Sequence, residues 1–185
     1  GSSVPAADAT IIFDTDPARD LQMDADRSVT NIVNAQSADI LIINGYRLTI
    51  KGNINFSGGA YIDATASSST VSYAGTLAQT IETGHFLNDK VYNLIIDNAA
   101  GVTLNNSFTV DNNMTINSGR IFTVTSPNTL TVTGTLTNNG GNAGPVIKSG
   151  SNGSDSKMIN KSSTVNATVE PQLSGTNVSH RGARY

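Results

Sequence analysis

A twelve-residue pattern that recurs without gaps constrains the fold of this chain more than any other feature. The order is apolar, Thr, apolar, any, Gly or Asn, any, apolar, Asn or Thr, any, Ser or Asn, small, Gly, in Leu48–Gly59, Phe108–Gly119 and Leu130–Gly141. The offset along the sequence from Phe108 to Leu130, where the second and third segments begin, is taken as the period of the repeat. Such a period is typical of chains that stack similar turns, because one turn alone cannot bury its apolar face.

The pattern predicts a single-stranded parallel β-helix, in which each repeat forms one turn. Side chains alternate along a strand, so the apolar residues of each apolar-Thr-apolar triplet face inward and Thr faces outward. We therefore expect Leu48, Phe108 and Leu130 in the core. Asn117 and Asn139 lie one period apart, either as rungs of an amide ladder or as ordinary surface turns. The alternative fold is a β-sandwich, which the strand spacing permits but which gives no reason for the repeat.

The spacing of the first two segments predicts an insertion between them. The step from Leu48 to Phe108 is not a multiple of the period. Thr76–Lys90 is the least repeat-like stretch, and removing it leaves a spacing close to two periods. We also expect a short helical turn at Asp16–Asp26, where Pro17 stands at a plausible first turn.

The composition excludes several classes of function. Charged residues make up 14% of the chain, against roughly 25% in an average protein. The net charge is −3 and no basic patch appears, so a nucleic-acid partner is not expected. Cysteine is absent, which removes disulfides and Cys-based zinc sites. The longest apolar runs are too short for a membrane-spanning helix. Polarity comes from 22 Thr, 21 Asn and 20 Ser, residues of strand exteriors and turns.

One stretch, residues 73–104, carries a motif of distinctive residues. It reads Tyr, Gly, Gln-x-Ile, Tyr-Asn-Leu-x-Ile and Gly-Val-Thr-Leu, at Tyr73, Gly75, Gln79, Ile81, Tyr92, Asn93, Leu94, Ile96, Gly101, Val102, Thr103 and Leu104. This motif resembles one in large secreted surface proteins of Bacteroidetes-type bacteria, and the resemblance covers roughly Leu48 to Gly141. It implies a right-handed β-helical stalk or adhesin-like region exported to the cell surface, and it brings no catalytic residue.

From the residues themselves we expect structural roles within this motif. Leu94 and Ile96 should face inward together with Tyr92, and Tyr73 and Tyr92 should lie partly buried at coil corners. Gln79 should bond to backbone across a turn.

These observations predict an organisation and a function. We expect an N-terminal cap in residues 1–35, β-helix coils in 36–173, and a tail or the start of a further segment in 174–185. The expected function is a non-enzymatic, extracellular structural or adhesin-like module, with neighbouring domains of a longer chain and a surface glycan or host protein as partners. The alternatives are a carbohydrate-binding module that uses Tyr, Asn and Asp on one lateral face, and a polysaccharide lyase or hydrolase.

Few residues of this sequence are candidates for metal binding or catalysis. Asp14, Asp16 and Asp20 belong to an acidic stretch whose oxygens could bind calcium, although the spacing is not that of an EF-hand. The other reading is a solvated acidic loop, and no other cofactor is expected. A polysaccharide-cleaving site would need acids gathered on adjacent coils, such as Asp63, Asp97 and Asp111. His85 and His180 stand alone, and we expect them at the surface or at corners.

Overall fold

The computed structural model describes residues 8–13, 20–34, 38–151, 154–161 and 165–171, and all structural statements below concern these residues. The described residues are nearly all β, with one short 3-10 turn among them at Gly141–Ala143. The strands are β1 (Ala9–Phe13), β2 (Leu21–Gln22), β3 (Arg27–Asn34), β4 (Ile40–Ile42), β5 (Arg47–Ile50), β6 (Ile54–Phe56), β7 (Tyr61–Ala64), β8 (Thr70–Tyr73), β9 (Gln79–Ile81), β10 (Phe86–Val91), β11 (Asn93–Ile96), β12 (Val102–Leu104), β13 (Phe108–Val110), β14 (Met114–Ile116), β15 (Phe122–Val124), β16 (Thr129–Val132), β17 (Leu136–Asn138), β18 (Pro145–Lys148), β19 (Lys157–Asn160) and β20 (Thr168–Glu170).

These strands form three sheets that run along a parallel β-solenoid of about seven turns. Sheet A follows the order β1-β3-β5-β8-β11-β14-β17, and β6 pairs with the second half of β3. Sheet B runs β19-β16-β13-β10-β7-β4-β2, and sheet C runs β20-β18-β15-β12-β9. Every pair of named strands is parallel. The predicted parallel solenoid is confirmed, and the antiparallel sandwich is wrong.

The core is a set of vertical columns of apolar side chains. The three residues expected to face inward, Leu48, Phe108 and Leu130, are buried. Thr49, Thr109 and Thr131, which alternate with them, are partly exposed. Leu94 and Ile96 are also buried, whereas Tyr92, which we expected on the same face, is half-buried beside them. Alternation along each strand therefore sorts side chains as the pattern predicted.

The gapless alignment matches the first repeat to the wrong sheet of the solenoid. Phe108 pairs with Leu130 in sheet B, as their offset of one period requires. Leu48, however, lies in sheet A, between Arg27 and Val71 of the adjacent turns. All three faces carry the same apolar-x-apolar pattern, so a gapless alignment cannot tell one face from another.

The insertion expected at Thr76–Lys90 is consequently also wrong. This stretch contains β9 and most of β10, which are ordinary strands of sheets C and B. The real irregularity lies within β10, where Phe86 pairs with Ile62 and Val91 with Ala64. Because β10 has more residues than β7 between these two pairs, it forms a bulge, in which Asn88 and Asp89 have positive φ.

The N-terminal part of the chain joins the stack. Within the range expected to form a cap, β1 and β3 belong to sheet A, and β2 pairs with β4 in sheet B. The predicted boundaries after residues 35 and 173 both fall outside the described residues. The helical turn expected at Asp16–Asp26 is wrong for its described part, because Leu21–Gln22 is a strand. Among the described residues, no helix is long and apolar enough to cross a membrane.

Candidate functional site

The residues proposed to bind calcium are described only in part. Asp14 and Asp16 lie outside the described residues, and Asp20 is exposed. Downstream in the same acidic stretch, Asp24 forms an ion pair with Arg27, and Asp26 accepts a hydrogen bond from the backbone N–H of Arg47 at 2.8 Å. No group of three or more His, Asp or Glu among the described residues is arranged to hold a metal ion. Calcium binding at Asp14, Asp16 and Asp20 stays a prediction.

The three acids considered for polysaccharide cleavage each have a partner of their own. Asp63 accepts hydrogen bonds from the backbone N–H and the hydroxyl of Thr65, at 3.0 and 2.7 Å. Asp97 pairs with Arg120 at 3.1 Å, and Asp111 pairs with Lys90 at 3.0 Å. These contacts tie neighbouring turns together or close a local turn, which gives each acid a structural role.

The distinctive Gln of the motif lies in a buried polar cluster at the corner after sheet A. The Gln79 amide donates to the carbonyls of Ile50 (3.1 Å) and Gly52, one turn below. Its oxygen accepts the Gly75 N–H at 3.1 Å and the Asn98 amide at 2.6 Å, the latter from the turn above. The expected backbone contact of Gln79 is confirmed. Gly75 is needed here because a Cβ would collide with the Lys51 carbonyl oxygen.

The other motif residues also lie in the body of the solenoid. Tyr73 is fully buried within β8, not partly buried at a corner as expected, and its hydroxyl has no hydrogen-bond partner among the described residues. Burial therefore raises the pKa of the Tyr73 phenol. Asn93 receives a bond at 2.9 Å from the Asn112 amide one turn above. Gly101 has a φ of +89°, a conformation that L residues with a Cβ rarely adopt.

Side-chain amides connect successive turns at Asn93 and Asn112. For Asn117 and Asn139 the sequence left two interpretations open, rungs of a ladder or ordinary surface turns. Asn117 is half-buried and Asn139 exposed. The observed contacts join Asn93 to Asn112, and the side-chain Oδ1 of Asn113 accepts the Thr135 N–H of the next turn at 3.0 Å. Asparagine is abundant at the corners, so its frequency alone does not identify which corner carries the ladder.

A cleft with a mixed polar and apolar lining lies beside the early turns. It measures about 620 Å³ and opens between the strand end at Ile54–Phe56 and the tight turn at Glu82–His85. Its apolar wall contains Val33, Ile54 and Phe56, and its polar wall contains Asn55, Glu82 and His85. Both the volume and the mixed lining fall within the range of small-ligand sites.

His85, which we expected at the surface or at a corner, lies in the tight turn that lines this cleft and is a buried titratable group. Its exposed fraction is 7%, and its ring meets Phe56 edge-on with centroids 6.2 Å apart. The Nδ1 atom accepts the Glu82 N–H at 3.3 Å. Burial lowers the pKa of His85, while the Glu82 and Asp89 carboxylates partly oppose that shift. Glu82 itself accepts a bond from the Asn105 amide at 2.6 Å.

Sequence reasoning missed this cleft because its two walls lie on different turns, and only the wall at Ile54–Phe56 belongs to a repeat segment. Phe56 occupies a position that the repeat pattern treats as variable, and Glu82 is not one of the matched positions of the motif in residues 73–104. The sequence feature that could have indicated this cleft is the Glu82–His85 segment, where a tight turn brings a carboxylate and an imidazole close together.

Comparison with known proteins adds no assignment. No protein-family model, curated protein or solved structure matches this chain.

Proposed function

We propose that this chain is a non-enzymatic structural or adhesin-like module of an extracellular bacterial surface protein. One observation carries the proposal: the described residues of the distinctive motif have structural roles. Gln79 and Gly75 hold a corner in register, and Leu94, Ile96, Val102 and Leu104 fill the core. A motif whose residues maintain a rod is what a stalk needs, whereas a catalytic motif would leave polar groups directed at a substrate.

The low charge and the exterior of the solenoid support the same role. Threonines align across successive turns, for example Thr80, Thr103 and Thr123 in sheet C. Such a face is polar without being charged, which suits a rigid spacer between neighbouring domains. Resemblance of the motif to secreted surface proteins of Bacteroidetes-type bacteria gives the expected location.

Surface labelling tests the location and the role together. Antibodies against this chain should label intact producing cells, and brief protease treatment of those cells should remove the signal while a cytoplasmic marker stays intact. Beads coated with the purified chain then distinguish an adhesive role, in which they bind mucin or host-cell surfaces, from a purely structural role. Labelling only after cell lysis would contradict the proposal.

The cleft favours a second candidate, a carbohydrate-binding module. An aromatic ring beside amide, carboxylate and imidazole groups is a suitable lining for a sugar ring and its hydroxyls. This placement differs from the lateral face we first considered, since the cleft contains Phe56 and not a tyrosine.

A glycan array with matched variants tests this candidate. Glu82→Gln and Asn55→Ala should each weaken binding at least tenfold, because each removes a polar group from the cleft. Asn139→Ala is the control, since Asn139 is an exposed asparagine outside the cleft. Equal binding by wild type and all three variants would place any glycan site elsewhere.

A further inference from the structure

Glu82 carries the one carboxylate among the described residues that line the cleft, and no Lys or Arg lines it with Glu82. This carboxylate accepts the Asn105 amide at 2.6 Å, and none of the ion pairs in the described part of the chain involves it. A carboxylate that has a hydrogen bond but no cation still attracts a positively charged group. The attraction is stronger in a concave site than on open surface, because less water screens it.

His85 does not neutralise this carboxylate. Burial lowers the pKa of His85, so the imidazole is uncharged at neutral pH. Because its Nδ1 atom accepts the Glu82 N–H at 3.3 Å, the proton of the neutral ring lies on Nε2. The charges that act on the ring are the carboxylates of Glu82 and Asp89, and both are negative. The described walls of the cleft are therefore negative at neutral pH, which disfavours sugars that carry carboxylate or sulfate groups.

The turn that carries Glu82 is fixed by several hydrogen bonds. The His85 N–H donates to the Glu82 carbonyl oxygen at 3.3 Å, and the Gly84 N–H donates to the Asp89 carboxylate at 3.0 Å. Asn105, from the next turn of the solenoid, holds the carboxylate of Glu82 itself. A charged group that is already positioned loses little conformational entropy on binding, so its contribution to selectivity is largely kept.

The rest of the lining suits an organic cation with hydroxyl groups. Phe56 supplies an aromatic ring, and such rings attract ammonium groups. Asn55 supplies an exposed amide that can bind hydroxyls. We propose that the cleft selects sugars with a free, protonated amino group, which binds the Glu82 carboxylate. The proposal rests on the second candidate function, carbohydrate binding, and specifies the class of sugar that such a module prefers.

Tetrasaccharides that differ in a single substituent of the sugar ring test the proposal by isothermal titration calorimetry. The wild-type chain should bind the glucosamine tetramer about tenfold or more tightly than the N-acetylglucosamine tetramer or cellotetraose, because only the first offers an ammonium group to Glu82. Glu82→Gln keeps an oxygen for the Asn105 amide and should abolish this preference. Asp155→Asn is the matched control, since it removes one negative charge at an exposed position outside the cleft and should keep the wild-type preference.

The outcomes separate this proposal from the function on which it rests. Equal binding of the three tetrasaccharides by wild type would overturn the preference for amines and leave carbohydrate binding standing. Binding of none of them would also overturn it, and the glycan array then decides whether the cleft binds any other sugar.

Two further results would contradict the assignment of the amine to Glu82 or of the ligand to sugars. A preference that persists in Glu82→Gln, or that is lost equally in Asp155→Asn, would mean that the net charge of the chain attracts the amine. Binding of a simple alkyl amine such as N-acetyl-lysine amide as tightly as the glucosamine tetramer would mean that the cleft recognises the amine without the sugar. Circular dichroism checks that both variants are folded.

Discussion

At the residue scale, buried polar groups differ in whether they stabilise the solenoid. Gln79 has four hydrogen bonds inside the body of the stack, so its desolvation is offset by bonds to three turns of chain. Tyr73 is equally buried, yet its hydroxyl has no hydrogen-bond partner in the described part of the chain. A buried hydroxyl without a hydrogen bond costs about 1–3 kcal/mol, so these two motif residues should respond to substitution in opposite ways.

Removing the Tyr73 hydroxyl should therefore stabilise the chain. We expect Tyr73→Phe to raise the free energy of unfolding by about 1 kcal/mol, measured by urea denaturation, because the ring keeps its packing and the unpaired hydroxyl is gone. Tyr61→Phe is the control, since Tyr61 lies half-exposed on the outside of sheet B and should change stability little. A clear loss of stability in Tyr73→Phe would mean that its hydroxyl is satisfied in solution.

His85 should make stability depend on pH in a defined window. Its pKa in the folded chain is lowered by burial, whereas in the unfolded chain it is about 6.5. Below pH 6.5 the unfolded chain therefore binds a proton that the folded chain does not. The free energy of unfolding accordingly decreases as the pH is lowered from 6.5 to the pKa of His85 in the folded chain. Above pH 6.5 His85 is neutral in both the folded and the unfolded chain, so its protonation no longer lowers the stability of the fold.

Thermal melting between pH 7.5 and 5.5 measures this effect. The wild-type Tm should fall across the window, and His85→Asn should flatten the slope while its side-chain oxygen keeps an acceptor for the Glu82 N–H. His180→Asn is the matched control and should melt with the wild-type slope. An unchanged slope in His85→Asn would assign the pH dependence to other groups.

At the scale of elements, sequence predicted the type of strand packing but not the face on which each strand lies. Phe108 and Leu130 pair as expected, because both belong to sheet B and one turn separates them. Leu48 was assigned to the wrong face, since the period shifts from turn to turn. The step from Ile50 to its partner Tyr73 is longer than the step from Ile96 to its partner Ile116. Corner lengths vary freely at the surface, and a pattern with three similar faces per turn cannot recover them.

The candidate site was less predictable than the fold for a related reason. The Glu82–His85 turn meets Phe56 through stacking of two turns, so the contact depends on the register that sequence could not fix. Gln79 was predicted correctly because its bonds reach backbone carbonyls, which every turn supplies.

The β10 bulge yields a prediction at this scale. Deleting Leu87–Asp89 leaves Phe86 and Val91 two positions apart, the same spacing as Ile62 to Ala64 below and Phe108 to Val110 above. The shortened strand can then pair regularly on both sides, and two residues with positive φ are removed. We expect this variant to fold with wild-type or higher thermal stability, measured by its Tm.

Deletion of Leu94–Ile96 is the control, since β11 pairs regularly with β8 and β14 and its loss removes core side chains. That variant should not fold. Failure of the Leu87–Asp89 deletion as well would show that the bulge is required, with its Asp89 to Gly84 hydrogen bond as the first suspect.

At the scale of the whole molecule, stability comes from contacts between adjacent turns. A solenoid's stability is close to a sum over turns and their interfaces, so the position of a lesion along the axis decides its effect. Leu104 and Val169 belong to the same column of sheet C, one in the middle of the stack and one in its last described turn. Leu104 has paired residues in the turns on both sides, whereas Val169 has a described neighbour on one side only.

Leu104→Asp and Val169→Asp should therefore differ strongly in stability. The first places a carboxylate in a column that is 0% exposed and weakens the interfaces above and below it, so we expect a loss of about 4 kcal/mol or complete unfolding. The second puts the charge where water already reaches, and we expect a change within about 0.5 kcal/mol. Thr103→Asp controls for charge on the same strand as Leu104, because Thr103 faces outward. Urea unfolding measures all three, and similar losses for Leu104→Asp and Val169→Asp would show that the last turn is covered in solution as fully as the central ones.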